Sequence, residues 1–332
     1  MGKWTRRAFV TAGVLAGGVL AIGIAIRPGS RAGKAWSLVA DAGETLFGIW
    51  LKLAPDNSVT AIVPHAEMGQ GVHTTLAMML ADEMDADWSR IRIMEAPAHR
   101  EYANYALARG YALGESEFPA WLLPTVDGFF LQATRFMSLQ ITGGSTSTRT
   151  TGQLAMRVAG AAARAVLLEA ASQAWEVDPA ELLARDGVIY HEDSGRSAAF
   201  AEFALRAAAL DAPVTPRLKS PDEYRIMGTS VARLDVPAKV DGSARFGIDA
   251  VLPGMKYAAV RAAPVFGSVV EGFDPQSIQH MPGVRKIVDL HDAVGVIADG
   301  YWQASRALDR LEIRFRATGN DRLQQSDIYV QF

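Results

Sequence analysis

The sequence predicts an α+β protein built from two domains, and three observations lead to this expectation. The chain has 332 residues, 49% hydrophobic and 21% charged, which is enough for roughly two globular cores. Residues with alternating hydrophobicity predict strands, and apolar residues at helical spacing predict helices, in mixed order along the chain. A proline-rich stretch at 212–222 is typical of a linker between domains at 45–211 and 223–320.

The charge balance and the cysteine count exclude several classes of protein. The 33 Lys and Arg residues against 36 Asp and Glu residues give a net charge of −3, so a nucleic-acid partner held by bulk positive charge is not expected. The chain has no cysteine. Thiol nucleophiles, disulfides, Cys-ligated zinc and iron–sulfur clusters bound by this chain are therefore excluded.

The first 28 residues resemble an export signal. Arg6 and Arg7 lie in a segment, Thr5 to Val10, that resembles the twin-arginine motif, and an uncharged stretch from Ala8 to Ile26 follows. This stretch is close to the ~20 residues needed to span a bilayer, so an uncleaved anchor remains an alternative. We therefore expect a periplasmic protein, or one anchored in the membrane and facing the periplasm.

The first candidate site is a glycine turn between a strand and a helix. Residues 47–53 and 58–64 predict a hairpin, and its second strand leads into Gly69, Gln70 and Gly71. Apolar residues at helical spacing follow from Val72, and a return strand is expected from Ile91. The N-terminus of a helix offers backbone N–H groups to an anion such as phosphate.

A second turn of similar composition lies about seventy residues further on. Gly143, Gly144, Ser145 and Ser147 precede an Ala-rich helix predicted at 152–175. Small residues let a ligand approach the backbone, and hydroxyl groups donate hydrogen bonds. An ordinary capped helix start is the alternative, because Ser and Thr are common N-caps. The two turns together favour a ligand that carries several phosphate groups.

The common nucleotide and hydrolase motifs are absent from the sequence. The first turn lacks the third glycine of the dinucleotide fingerprint, and neither a P-loop nor a Gly-x-Ser-x-Gly elbow occurs. His65 and His73 are eight residues apart without an obvious third ligand. Roles in the surroundings of a site are therefore favoured over a metal centre.

Three long segments resemble the molybdopterin-binding large subunit of the xanthine dehydrogenase and aldehyde oxidase family. They are residues 67–93, 143–172 and 228–270. The likeness is greatest to the exported branch typified by the beta subunit of isoquinoline 1-oxidoreductase. The third segment resembles the hammerhead domain of that family, so the resemblance implies part of a molybdopterin-binding domain followed by a hammerhead-like α+β domain.

The resemblance also implies a cofactor, a reaction and roles for individual residues. Gly69, Gln70 and Gly71 would contact the molybdenum cofactor, with the Gln70 amide near the metal. Gly144, Ser145 and Ser147 would hold its phosphate or pterin groups. The expected form is molybdopterin cytosine dinucleotide. The reaction would be hydroxylation of an N-heteroaromatic compound or oxidation of an aldehyde, with water as the oxygen source.

The sequence departs from the family pattern in one important way. Family members are longer, and the glutamate that acts as their general base has no counterpart here, so no catalytic residue is assigned. We expect a truncated chain that is inactive alone. Expected partners are a small [2Fe–2S] subunit, the missing C-terminal part of the large subunit and a cytochrome acceptor. An exported non-catalytic binding or scaffold protein and a nucleotide-dependent transferase are the alternatives.

Further elements are expected outside the two turns. The sequence predicts a short helix at 179–184, a hairpin at 188–199 and a helix at 201–210. The aromatic side chains at 121, 129, 130 and 136 are expected to pack in the core, or else to line a substrate funnel.

Overall fold

The computed structural model describes residues 31–332 except 115 and 141. The predicted signal or anchor at 1–28 lies outside these residues. Within the described ranges no helix is both long enough and apolar enough to cross a membrane. The chain divides into two compact units, of which the first ends at Ser243 and the second spans Ala244–Phe332. Helices and strands are mixed in both, which confirms the expected α+β class.

The first unit is built on a four-stranded sheet in the order β1-β2-β3-β4. Neighbouring strands are antiparallel except β3 and β4, which are parallel. Every residue of β1, β2 and β3 is buried. The strands are β1 Thr45–Phe47, β2 Leu51–Leu53, β3 Val59–Val63 and β4 Ile91–Glu95.

The strand predicted at 47–53 is in fact two short strands joined by a turn. Gly48, at φ 66°, allows the chain to reverse, so Phe47 pairs with Leu51 instead of sharing a face with it. The alternating pattern is misleading because both faces of this sheet are buried. A turn at 55–57 joins β2 to β3.

A parallel β3–β4 pair requires a crossover, and helix α2 (Val72–Met84) provides it. Its buried face packs against a long helix at a very short distance. A Cβ on Gly160 would lie 2.3 Å from the carbonyl oxygen of Leu80, so only glycine fits there. The long helix consists of α5 (Thr146–Thr151), a π-helical turn (Gly152–Met156) and α6 (Arg157–Trp175), and therefore begins earlier than predicted.

The remaining elements of the first unit surround this sheet and helix pair. Residues 179–184, predicted as a helix, form a single 3-10 turn (Pro179–Glu181) and then a strand. Trp121, Phe129 and Phe136 are mostly exposed, so the expectation of core packing is wrong for them. The other elements are α1 Arg31–Val39, α3 Tyr105–Leu113, α4 Leu123–Phe136, β5 Leu182–Arg185, β6 Val188–His191, β7 Arg196–Ala199, α7 Phe200–Ala208 and α8 Val236–Val240.

The first unit includes residues 212–222, where the sequence predicts a linker. A segment that overlaps this range is bound along α2. We name residues 217–234 the strap. Near the C-terminal end of α2, the buried Lys219 ammonium contacts the carboxylates of Asp82 and Asp85 at 3.2 and 2.6 Å. At the other end, the N–H of Leu234 donates to Thr74 Oγ1 at 3.1 Å. The strap therefore connects both ends of one helix.

The second unit is a small α+β structure with its own core. A three-stranded sheet in the order β10-β11-β8 and a two-stranded sheet of β9 and β12 accompany helix α9. The core contains Ile278, Val294, Val296 and Leu308. The elements are β8 Tyr257–Ala262, β9 Val270–Phe273, β10 Val284–Asp289, β11 Ala293–Ala298, α9 Tyr301–Arg310, β12 Ile313–Phe315 and α10 Gln325–Gln331.

Candidate functional site

The first glycine turn lies where β3 ends and α2 begins, at the carboxyl edge of the sheet. Gly69 and Gly71 have φ values of 101° and 79°, in the left-handed region that favours glycine. A Cβ on either residue would meet nothing within 4 Å, so the outer side of this turn is open. The backbone is therefore accessible to a ligand.

The turn has the geometry of an anion site, but its anion is a side chain of the same loop. Glu67 Oε1 accepts hydrogen bonds from the N–H groups of Gly69 and Gly71, each at 2.9 Å. Glu67 Oε2 accepts one from the N–H of His73 at 3.2 Å. In this structure a carboxylate therefore uses the N–H groups at which the sequence predicts an anion such as phosphate.

Charge and burial both hold Glu67 in this position. Its side chain is only 6% exposed, and Arg233 Nη2 lies 3.1 Å from Oε1. Burial acts to raise the pKa of Glu67, but the three backbone N–H donors and the Arg233 charge outweigh it and keep the pKa below its usual value. Arg233 also donates to the carbonyl oxygen of Gly69 at 3.1 Å, so the strap holds the turn at two points.

The second turn opens the long helix. A Cβ on Gly143 would lie 2.3 Å from Ser147 Oγ, so a larger residue there would force the Ser147 side chain to move. Ser147 is buried and donates to the carbonyl oxygen of Gly144 at 3.0 Å, which fixes the turn from inside. Ser145 is exposed and has φ 48°, an unusual value for a residue with a side chain.

The two turns are in direct contact. Gln70 Nε2 donates to the carbonyl oxygens of Ala66 at 3.0 Å and Gly143 at 3.2 Å. Thr142 Oγ1 donates to the same Ala66 oxygen at 2.9 Å. The structure thus brings the candidate residues at 69–71 together with those at 144–147. In this arrangement both amide hydrogens of Gln70 are used within the protein, and Gln70 Oε1 accepts from the N–H of Met68 at 2.5 Å.

A buried polar cluster supports the contact between the two glycine turns. His65 Nε2 lies 2.8 Å from Thr151 Oγ1, and Asn104 Nδ2 donates to the same oxygen at 3.1 Å. Burial, with a smaller contribution from His73, lowers the pKa of His65 to about 4, so its ring is neutral at pH 7. The cluster joins the end of β3 to the starts of α3 and the long helix.

The second turn suits the phosphate groups of a molybdenum cofactor better than the first. Within the described part of the chain, the N–H groups of Gly144, Ser145 and Thr146 donate no hydrogen bond, and these residues are exposed. N–H and hydroxyl groups are the donors that phosphate oxygens accept. The first turn offers instead an open glycine surface beside Gln70.

A large cavity of about 1,060 Å³ lies elsewhere in the first unit. It is lined mostly by apolar side chains and contains the ion pair of Arg109 and Asp127, whose Nη1 and Oδ1 atoms are 2.6 Å apart. None of the six candidate cofactor residues lines it. Across the described ranges, no group of three or more His, Asp and Glu residues is placed to hold a metal ion.

Sequence reasoning missed the residues that hold the turns in place. Glu67 lies in a segment that resembles the family, and acidic side chains are favoured at helix N-termini, which is the one signal that could have found it. Arg233 carries no local signal, because it approaches the turn only through the folded strap. Isolated polar residues give no sequence pattern, so no local signal marks Thr142, Asn104 or Thr151.

A comparison with protein families supports the cofactor assignment. Residues 4–106 match the family model described as a molybdopterin cofactor-binding domain. This range contains the first turn, Gly69 to Gly71, and the whole β3–α2–β4 unit.

Curated relatives align with most of this chain. It is 29% identical over 302 residues to the beta subunit of isoquinoline 1-oxidoreductase from Brevundimonas diminuta, an alignment that covers 81% of the chain and 35% of that protein. It is 29% identical over 282 residues to the membrane-bound aldehyde dehydrogenase [pyrroloquinoline-quinone] of Gluconacetobacter polyoxogenes, with 80% and 31% covered. It is 28% identical over 286 residues to the B subunit of nicotinate dehydrogenase from Pseudomonas putida, with 82% and 21% covered.

These matches confirm the resemblance to the molybdopterin-binding large subunits of the xanthine dehydrogenase and aldehyde oxidase family. The relatives are named as an oxidoreductase and two dehydrogenases, and two of them are named as subunits. The chain spans about a third or less of the length of each.

Proposed function

We propose that residues 45–243 are the cofactor-binding part of the large subunit of a molybdenum hydroxylase or aldehyde dehydrogenase. The observation that carries this proposal is the contact between the two glycine turns, made by Gln70 and Gly143 at 3.2 Å. Two open turns from distant parts of the chain form one surface, and the first turn lies within the matched molybdopterin cofactor-binding domain. An ordinary capped helix start would not need a partner turn.

In this proposal each turn has a different task. The N–H groups of Gly144, Ser145 and Thr146 and the exposed Ser145 hydroxyl bind the phosphate groups. Gly69 and Gly71 allow the pterin ring to approach the backbone, and Gln70 holds the two turns at a fixed separation. When bound, the cofactor supplies two-electron oxidation of a substrate that takes its oxygen from water.

The finer details follow from chemistry and from the relatives. We propose the cytosine dinucleotide form, which the family resemblance implies, and its second phosphate would use the additional donors of the second turn. Isoquinoline and nicotinate, in the names of two relatives, are N-heteroaromatic compounds, and the third relative is named as an aldehyde dehydrogenase. The proposed substrate class is therefore an N-heteroaromatic compound or an aldehyde.

The proposal requires partners. Because the chain has no cysteine, [2Fe–2S] clusters that carry electrons away must belong to another subunit, and a cytochrome is the proposed final acceptor. No residue of this chain is assigned as the general base. We propose that the second unit corresponds to the hammerhead-like domain, which is consistent with its own α+β core. Arg6 and Arg7 support export to the periplasmic side.

Metal analysis and cofactor extraction from the natively purified complex test the proposed function. The expected result is molybdenum together with iron and a cytosine-containing pterin. A complex without molybdenum would overturn the proposal. A bound nucleotide in its place would favour a transferase, and no bound group would favour an exported scaffold protein. Pyrroloquinoline quinone, which the name of one relative contains, is detected in the same extraction and would also contradict the molybdenum assignment.

A further inference from the structure

The N-terminus of α2 is completed by a carboxylate that comes from the chain itself. Gly71, the residue before the helix, has no side chain to cap it, and the N–H groups of Gly71 and His73 would otherwise lack an acceptor. Glu67 takes both of them and that of Gly69 as well. One side chain therefore closes the loop that contains the three candidate residues at 69–71.

The charge on Glu67 is balanced by an arginine of the strap. The Arg233 guanidinium contacts Glu67 and also binds Asp235, with 2.6 Å between Nη2 and Oδ2. A second anion in the turn would have to displace Glu67 and leave a buried carboxylate without partners, at a high cost in free energy. A phosphate group cannot compete for these N–H groups while Glu67 is in place.

We propose that Glu67 is a positioning residue, the fixed internal anion that holds the Gly69–Gly71 turn in its binding form before any cofactor arrives. This inference rests on the proposed function in that the turn receives the cofactor. It adds a specificity rule: the first turn accepts an uncharged ring and excludes phosphate groups. The cofactor then has one orientation, with its phosphate groups at the second turn.

Chemical rescue tests this role. In Glu67→Ala the space of the carboxylate becomes free, with three N–H groups and Arg233 around it, so a small carboxylate such as formate fits there. We expect the midpoint of thermal unfolding to fall by on the order of 5 °C and formate to restore at least half of the loss, whereas chloride at equal ionic strength does not. In Glu67→Gln the amide fills the space, so formate has no effect.

Glu202→Ala is the matched control. Glu202 also accepts a backbone N–H near a helix start, that of Ala199 at 2.9 Å, but it is exposed. Its loss should give a small change in the midpoint without a response to formate. A folded Glu67→Ala protein that ignores formate, or an equal response in Glu202→Ala, would overturn the proposal.

Amide hydrogen exchange of the wild-type protein without cofactor provides a second test, which does not depend on the variant folding. The N–H groups of Gly71 and His73 should be protected from exchange, and in Glu67→Gln this protection should decrease at least tenfold. Fast exchange in the wild type would overturn the proposal. Both tests are independent of molybdenum, so a complex that lacks the metal would overturn the proposed function and leave these results unaffected.

Discussion

Gln70 donates a hydrogen bond to the carbonyl oxygen of Gly143, at 3.2 Å and across 73 residues of chain. Because its other amide hydrogen is bound to Ala66, the side chain has one orientation in which both bonds are made. Gln70 thus holds the two glycine turns together, and the hydroxyl of Thr142, which donates to the same Ala66 oxygen, adds a second bond between them. A ligand that contacts both turns depends on the distance between them.

Replacing Gln70 by Ala should separate the turns. The loss leaves two carbonyl oxygens without this donor and should reduce cofactor affinity by ~1–3 kcal/mol, about five- to 150-fold. The molybdenum content of the purified complex measures the effect. Gln140→Ala is the control, because Gln140 also donates to two carbonyl oxygens, those of Ala96 and Pro97. Unchanged molybdenum content in Gln70→Ala would mean that Gln70 is only a turn residue.

Replacing Gly143 by Ala should strain the second turn. The new Cβ would lie 2.3 Å from Ser147 Oγ, whereas a Cβ on Gly144 would lie 3.7 Å from Gln70. We expect Gly143→Ala to lower the free energy of unfolding by about 1–3 kcal/mol and Gly144→Ala to change it little. Urea denaturation measures both. In the double variant Gly143→Ala, Ser147→Ala the clash is relieved, so strictly additive losses would contradict this explanation.

The stability of the protein should fall as the pH drops from about 6.5 to about 4, partly because of His65. Burial lowers the pKa of His65 to about 4 in the folded state, so in this range the unfolded chain binds a proton that the folded chain does not. Folding is then disfavoured as the pH decreases, by at most about 3 kcal/mol. Thermal unfolding at several pH values should give a shallower dependence for His65→Gln. Parallel curves for the two proteins would refute the assignment.

Replacing Lys219 by Met should destabilise the first unit strongly. The side chains of Lys219 and Asp82 are 6% and 0% exposed, so the variant leaves a buried carboxylate without its cation. A loss of about 3–5 kcal/mol is expected. Arg217→Met is the control, because the Arg217 pair with Glu223 is exposed and should contribute less than about 1 kcal/mol. Equal effects on denaturant unfolding would show that the strap is not held by Lys219.

The double change of Arg6 and Arg7 to Lys tests export. It preserves the positive charge, on which a general signal or anchor depends, and removes the guanidinium groups of a twin-arginine motif. We expect the cofactor-loaded protein to remain in the cytoplasm, as measured by cell fractionation. A variant that reaches the periplasmic side in normal amount would show that residues 1–28 act as a plain signal or anchor.

Sequence periodicity predicts the helices and strands that bury one face, and those that are buried on all sides over many residues. The helix from Val72 and the strand from Ile91 are found where expected. The pattern fails at 47–53, where burial on both faces removes the distinction between a strand and a tight turn. It also fails at 179–184, where Pro179 begins a helical turn that ends after Glu181.

The candidate site is predictable from sequence only as two separate turns. Glycine and hydroxyl residues mark Gly69–Gly71 and Gly143–Ser147, because turn chemistry is local. The contact between Gln70 and Gly143 depends on how α2 packs against the long helix, and no sequence pattern measures that distance. The role of Glu67 is hidden for a related reason, since its partner Arg233 is distant in sequence.

The strap has a consequence for the order of events during synthesis. Arg233 is made 164 residues after Gly69, the glycine whose carbonyl oxygen it binds. At about 5–20 residues per second, the ribosome needs on the order of 10 to 30 seconds to cover this distance. During that interval Glu67 lacks its balancing charge, and the turn is not complete. Under the proposed function, a cofactor would be loaded at this turn after translation of the first unit and not during it.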